Sequence, residues 1–168
     1  MIVFNLKKWP AISHFFKMST WNVGQYHWEE HNANEWAKFR LNEIINEVHV
    51  DGWELSNFNF SSVTAARSIR KAKEIRSFEI VFDCQFKKGD MNGKISFPDI
   101  SNDCGDDPED WDYDLTFTGS CATKSAAEKK PIRDAAKKEL VPALRAAFEK
   151  WVQEFMALPS EFQKTPDA

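Results

Sequence analysis

The sequence predicts an α+β fold: a leading helix, a four-stranded antiparallel meander sheet and C-terminal helices packed on the sheet. Three observations carry this. Apolar residues recur at helical spacing between Asn34 and Val48, alternate with polar ones from about Phe58 to Phe117, and return to helical spacing after Pro131. The connections between successive strands are short, which argues for antiparallel pairing, because parallel pairs need long crossovers.

The first helix is marked by Trp36, Ala37, Leu41, Ile44, Ile45 and Val48, with Asn34 as the expected N-cap and Asp51-Gly52 as the turn that ends it. The first strand holds Phe58 and Phe60 and continues toward Arg70. In the second strand, Phe78, Ile80, Phe82, Cys84 and Phe86 alternate with polar neighbours, so one face should be buried and the other wet. Ile95 and Phe97 mark a short third strand after the turn Gly89 to Gly93, and Tyr113, Leu115 and Phe117 a fourth. Ala135, Ala136 and Leu140 form the next helical stripe, with Pro131 expected in its first turn. Pro142 lacks an N–H and crowds the preceding turn, which predicts a break near Val141. A second helix should follow, striped by Leu144, Ala147, Phe148, Trp151, Val152 and Phe155 and stopped by Pro159; it is the best cover for the aromatic face of the sheet.

With 168 residues, 42% of them hydrophobic and 14% aromatic, the chain fits one domain with a substantial core. Residues 1–17 contain Lys but no Asp or Glu, and no continuous apolar run of the kind a secretory signal needs. They are expected to be an unstructured extension or absent from the mature protein, with Met18 as the start. The domain is placed at 18–158 and a frayed tail at 159–168. A net charge of −4 argues against nucleic acid and anionic membrane as partners. Cys84, Cys104 and Cys121 are odd in number and lack metal-ligand spacing, which suits free thiols in a reducing, cytoplasmic setting.

A search for chemistry is mostly negative. His27 and His31 lie four apart but have no further ligand type nearby, so a structural or surface role is preferred over metal binding. The carboxylates of Asp99 to Asp114 do not follow a calcium-loop register, since Gly105 stands third from Asp103 rather than sixth, and they read as a solvated loop. No nucleophile elbow, phosphate loop or dinucleotide fingerprint is present, and no cofactor is expected. One cluster stands out in this acidic chain: Arg67, Arg70, Lys71, Lys73 and Arg76, at the end of the first strand and the start of the second. It reads either as a solvated hairpin with surface ion pairs or as a docking patch for carboxylates or phosphate.

The segment from Asn22 through Tyr26, His27 and Trp28 to Glu30, followed by Asn34-Glu35-Trp36-Ala37-Lys38, resembles the opening of the activator of heat-shock protein 90 ATPase family. Arg70-Lys71-Ala72-Lys73 is similar to the family's R-K-G-K signature. Gly93-Lys94-Ile95-Ser96-Phe97-Pro98-Asp99-Ile100 is similar to its G-x-I-x-I-P-N-L strand, again followed by an acidic loop. The match runs from about Asn22 to Leu158 and looks like the short members built on the N-terminal-type domain alone. The resemblance implies a co-chaperone that is not itself an enzyme. It would bind the middle segment of heat-shock protein 90 and stimulate its ATPase through Arg67, Arg70, Lys71 and Lys73, and it would be a monomer when free. Tyr26 stands where the family has Trp, Ala72 where it has Gly, and Thr64-Ala65-Ala66 where it often has an acid. Without a second domain, avidity and hence activation should be weaker. The rival readings are a protein-binding scaffold of the same fold, a small enzyme using His27 or the acidic loop, and an RNA binder, which fits the net charge poorly.

Overall fold

The computed structural model describes residues 29–71, 73–104 and 107–159. Asn22, Tyr26, His27 and Trp28, and with them the extension 1–17, lie outside the described residues.

Five antiparallel strands stand in sequence order in one sheet: β1 (Glu29–Asn32), β2 (Glu54–Arg70), β3 (Lys73–Lys88), β4 (Met91–Ser101) and β5 (Asp114–Phe117). The predicted four-stranded meander is β2 to β5. The added strand β1 pairs with the far end of β2, from Glu29 opposite Ile69 to Asn32 opposite Ala66. Nothing in Glu29-Glu30-His31-Asn32 has strand patterning; it is a strand because the edge of β2 offers unpaired backbone groups there.

Helix α1 (Asn34–Asn46) buries Ala37, Leu41, Ile44 and Ile45, the predicted stripe. Its N-cap is Ala33, not Asn34. The Asn34 amide donates to Asn32 Oδ1, and Asn34 Oδ1 instead accepts from the Ala65 N–H on β2, at 2.7 Å in both cases. The side chain expected to cap the helix therefore ties it to the sheet.

In β3, Phe78, Ile80, Phe82, Cys84 and Phe86 are all buried, and the residues between them are exposed or half-buried. β4 is longer than expected, beginning at Met91 after a two-residue turn in which Gly89 has φ 61. Gly93 has a packing reason. A Cβ there would lie 2.3 Å from the Phe86 ring and 2.4 Å from the Thr116 carbonyl oxygen, so only glycine lets the ring and strand approach.

The C-terminal third differs from expectation in two details. Helix α2 (Ala126–Ala135) starts earlier, closed by a capping box between Ser125 and Glu128, and Pro131 sits inside it. Helix α3 (Val141–Met156) has Pro142 in its first turn as predicted, but no break separates it from α2. The helix continues through a π-helical turn, Ala136–Leu140, whose wider spacing absorbs the disruption that proline causes. α3 covers the apolar face of the sheet. Phe148 meets Phe82, Phe97 and Trp111 edge-on, and Trp151 stacks on Phe155 at 5.3 Å and 10°. α1 lies beside α3, with Trp36 against Trp151 and Phe155, and Arg40 bonded to Glu154 at 2.7 Å.

A candidate docking surface on the β2–β3 hairpin

The hairpin of β2 and β3 outruns β4 and β5, while β1 runs beside its β2 edge as far as Ile69. β4 stops pairing at Ser101, opposite Glu79, and β3 extends back from there to Lys73. Arg70 and Lys73 face each other as the last pair, and Lys71 lies in the turn that follows Arg70. Lys71 has φ 50, in the left-handed region where a side chain is disfavoured.

The structure divides the predicted basic cluster in two. Lys71 and Lys73 are exposed at the turn. Arg67 and Arg76 are directly opposite each other on the two strands and point to the helix-covered face. Arg67, expected in the patch, is only 4% exposed. The Nε groups of both arginines donate to the same Glu74 oxygen, at 3.3 Å from Arg67 and 2.9 Å from Arg76. Arg76 also donates to the carbonyls of Phe155 (2.6 Å), Met156 (2.8 Å) and Leu158 (2.7 Å), and Arg67 to that of Pro159 (2.7 Å).

The physical reason is local. The last turn of α3 carries no basic residue of its own, and its final carbonyls have no partners within the helix. The two guanidinium groups supply positively charged donors to the carbonyls at the negative end of that helix. This holds the hairpin to the end of α3. The signal for it was present in the sequence as strand parity: Arg67 shares a face with Val63, Ala65 and Ile69, and Arg76 with Phe78 and Ile80, all buried.

On the opposite, wet face, Lys73 and Ile75 are neighbours two residues apart, and Ile75 is 42% exposed, one of few large apolar side chains so placed. Ser68 stands across from Ile75.

The other predicted features fall elsewhere. His31 lies on β1. Asp103, Asp107, Glu109, Asp110 and Asp112 are exposed along the loop between β4 and β5, as a solvated loop requires. Within that loop Asp107 caps the short turn Pro108–Asp110, and Trp111, not foreseen as core, is 2% exposed against Phe148. Among the described residues no group of three or more His, Cys, Asp or Glu side chains gathers to hold a metal. Cys84 and Cys121 are buried free thiols; burial, with Asp83 adding repulsion, pushes the Cys84 thiol up to about 12, which keeps it protonated and unreactive. No helix among the described residues is long and apolar enough to cross a membrane.

The sequence that builds this hairpin, sheet and covering helix fits the family described as "Activator of Hsp90 ATPase, N-terminal" over residues 30–158. The chain belongs to that family. This is a family of Hsp90 co-chaperones. The crystal structure of Aha-1 from Plasmodium falciparum shares its fold, with a TM-score of 0.60 and 21% identity over 76% of this chain and 84% of that one. Among curated protein sequences none matches the chain.

Proposed function

We propose that this chain binds the middle segment of heat-shock protein 90 and stimulates its ATPase, docking through the turn Arg70 to Lys73. The observation that carries the reading is an exposed basic turn on a hairpin that is itself anchored to the fold. Lys71 and Lys73 face solvent, while Arg67 and Arg76 hold the strands beneath them to the end of α3.

Such a turn can meet carboxylates or backbone carbonyls of a partner with little ordering cost, because the strands already fix where it points. Stimulation needs differential affinity: contacts made with the closed, hydrolysis-competent state and not with the open one. A tenfold acceleration requires only about 1.4 kcal/mol of it. Charge-assisted hydrogen bonds from Lys71 and Lys73, joined by Arg70, are of the right size. In this reading Arg67 acts through the hairpin's position rather than by contact. The domain spans 18–158, is a monomer when free, works in the cytoplasm in protein folding and the stress response, and carries no catalysis or cofactor of its own.

The test is the steady-state ATPase rate of purified heat-shock protein 90 with and without this chain, a nucleotide-site inhibitor defining the background. A saturable rise in the inhibitor-sensitive rate is expected, and its loss when Arg70, Lys71 and Lys73 are all changed to Ala in a folded protein. Binding without a rise would make the chain a scaffold of the same fold. A folded triple variant that stimulates normally would remove the turn from the mechanism.

A further inference from the structure

The chain carries a second basic surface, at the other end of the sheet. Lys129, Lys130, Arg133, Lys137 and Lys138 fall within α2 and the π-helical turn, and all but the partly covered Lys129 are exposed. Among the described residues none of them makes an ion pair. Elsewhere the described bases are mostly neutralised: Lys87 by Glu54 and Lys150 by Glu47, for example, at 3.3 and 3.2 Å.

Two of the three acids within the stretch already have hydrogen-bond partners. Glu128 accepts from the Ser125 hydroxyl and backbone N–H in the capping box. Glu139 accepts from Lys88 and from Trp53 Nε1, at 2.5 and 2.8 Å, and both bonds hold its carboxyl below the usual range. With Glu139 paired to Lys88, Glu128 and Asp134 are left to offset five cations, and Glu128 keeps its charge beside Lys129. Lys129 and Arg133 stand four apart, as do Arg133 and Lys137, a like-charge spacing that weakens a helix rather than supporting it. Two of the cations are also fixed in place. Lys129 donates to the Ala122 carbonyl at 2.7 Å, and Lys129 and Arg133 both lie 5.7 Å from the centre of the Phe117 ring.

We propose that this stretch is a second docking surface, for a short acidic segment of a protein partner. Charge complementarity selects the occupant. From Lys129 to Lys137 the surface runs about 12 Å along the helix, enough for a few residues of extended peptide. A polyanion reaching further would meet a chain of net charge −4, with a carboxylate-rich loop between β4 and β5. The position adds a consequence. Glu139 is bonded to Lys88, the last residue of β3, whereas the hairpin turn adjoins Lys73, the first. The two basic surfaces therefore lie at opposite ends of β3. A partner that reaches both would gain avidity from the second contact. The proposal itself does not depend on the hairpin's role.

The test uses the full chain and a fluorescent eight-residue peptide of alternating Asp and Glu, followed by anisotropy at low salt. Binding is expected to weaken with added salt. It is expected to weaken about tenfold in Arg133→Glu/Lys137→Glu, and to change less than about twofold in Lys71→Glu/Lys73→Glu. Arg133→Ala/Lys137→Ala, a milder change, should weaken it about threefold and serves if the reversal unfolds the chain. Absence of binding, equal affinity in the α2 variants, or equal loss in the hairpin variant would overturn the proposal. So would tighter binding of a single-stranded RNA or of anionic vesicles through the same residues, which would make the stretch a polyanion surface.

Discussion

Arg67 and Arg76 lie within ten residues of Lys71 and Lys73, yet the two pairs have opposite fates. The arginines are turned inward, share Glu74 and donate to four backbone carbonyls at and beyond the end of α3. The lysines stand in water at the turn. A cluster of like charges in sequence is thus two devices in space: one that fastens a hairpin, and one that the fastening presents. Strand parity and the turn geometry divide them, and residue type suits the division. A planar guanidinium bridges several oxygens in fixed directions, whereas an ammonium on a flexible stem serves better as an exposed point charge.

The sharpest way to break this comparison is Arg76→Ala. It removes three bonds to carbonyls and one of the two arginine bonds to Glu74, leaving the helix-end oxygens without that donor. A loss of about 2–4 kcal/mol in urea unfolding is expected, against less than about 0.5 kcal/mol for Lys71→Ala or Lys73→Ala. Equal losses at the two kinds of site would erase the distinction. Glu74→Gln is the next step down. It keeps an acceptor oxygen but removes the charge that the arginines share, and should cost about 1–2 kcal/mol. Because Arg76 would keep its carbonyl partners, a cost as large as that of Arg76→Ala would mean that the ion pairs, not the helix-end bonds, fasten the hairpin.

Much of this molecule can be read from one sequence because its aromatic residues are placed with strict periodicity. Phe78 to Phe86 announce both the strand and its buried face, and Leu144, Phe148, Trp151 and Phe155 announce the helix that covers it. The segments that escaped are those decided by partners distant in the chain. β1 has no pattern and exists because β2 has a free edge beside it. Trp111 sits in an acidic loop and is core only because α3 passes over it. Asn34 looks like a cap until β2 supplies a competing N–H. The basic turn was legible from its composition, and the inward role of Arg67 and Arg76 was available in strand parity, but concentration of charge masked it. The α2 stretch was missed for the opposite reason. Its bases are interspersed with Glu128, Asp134 and Glu139, and only the structure shows that two of those acids are already occupied.

Lys71 offers a way to separate the turn's shape from its charge. Its φ of 50 carries a steric cost that glycine avoids and that exceeds the added freedom of the unfolded chain, so Lys71→Gly should stabilise the fold by about 0.5–1 kcal/mol. Asn tolerates this region better than Lys, so Lys71→Asn should give a smaller gain of the same sign. Both variants discard the ammonium. Raised stability together with reduced stimulation of heat-shock protein 90 would assign charge to docking and leave strain as its by-product. Stimulation that follows stability instead would mean that the turn's rigidity matters more than its charge.

The smallest expected change in stability, and the most informative about presentation, belongs to Lys73→Ala. Lys73 is exposed, makes no ion pair among the described residues and lies at a strand end, so its removal should move the unfolding midpoint by less than about 0.5 kcal/mol. If the hairpin exists to present this side chain, stimulation of the chaperone should nonetheless fall, through weaker half-saturation, a lower plateau, or both. Lys73→Arg then distinguishes the kind of contact. A restored response indicates that the partner needs only positive charge at this point. A response that stays low indicates a pocket fitted to a compact ammonium. The same pair of substitutions at Arg76 should behave in reverse: Arg76→Lys cannot span the Phe155, Met156 and Leu158 carbonyls while also reaching Glu74, so it should recover little of the stability lost in Arg76→Ala. Conservative exchange tolerated at the turn and refused beneath it would show that one side chain is there for what it offers a partner, and the other for what it holds in place.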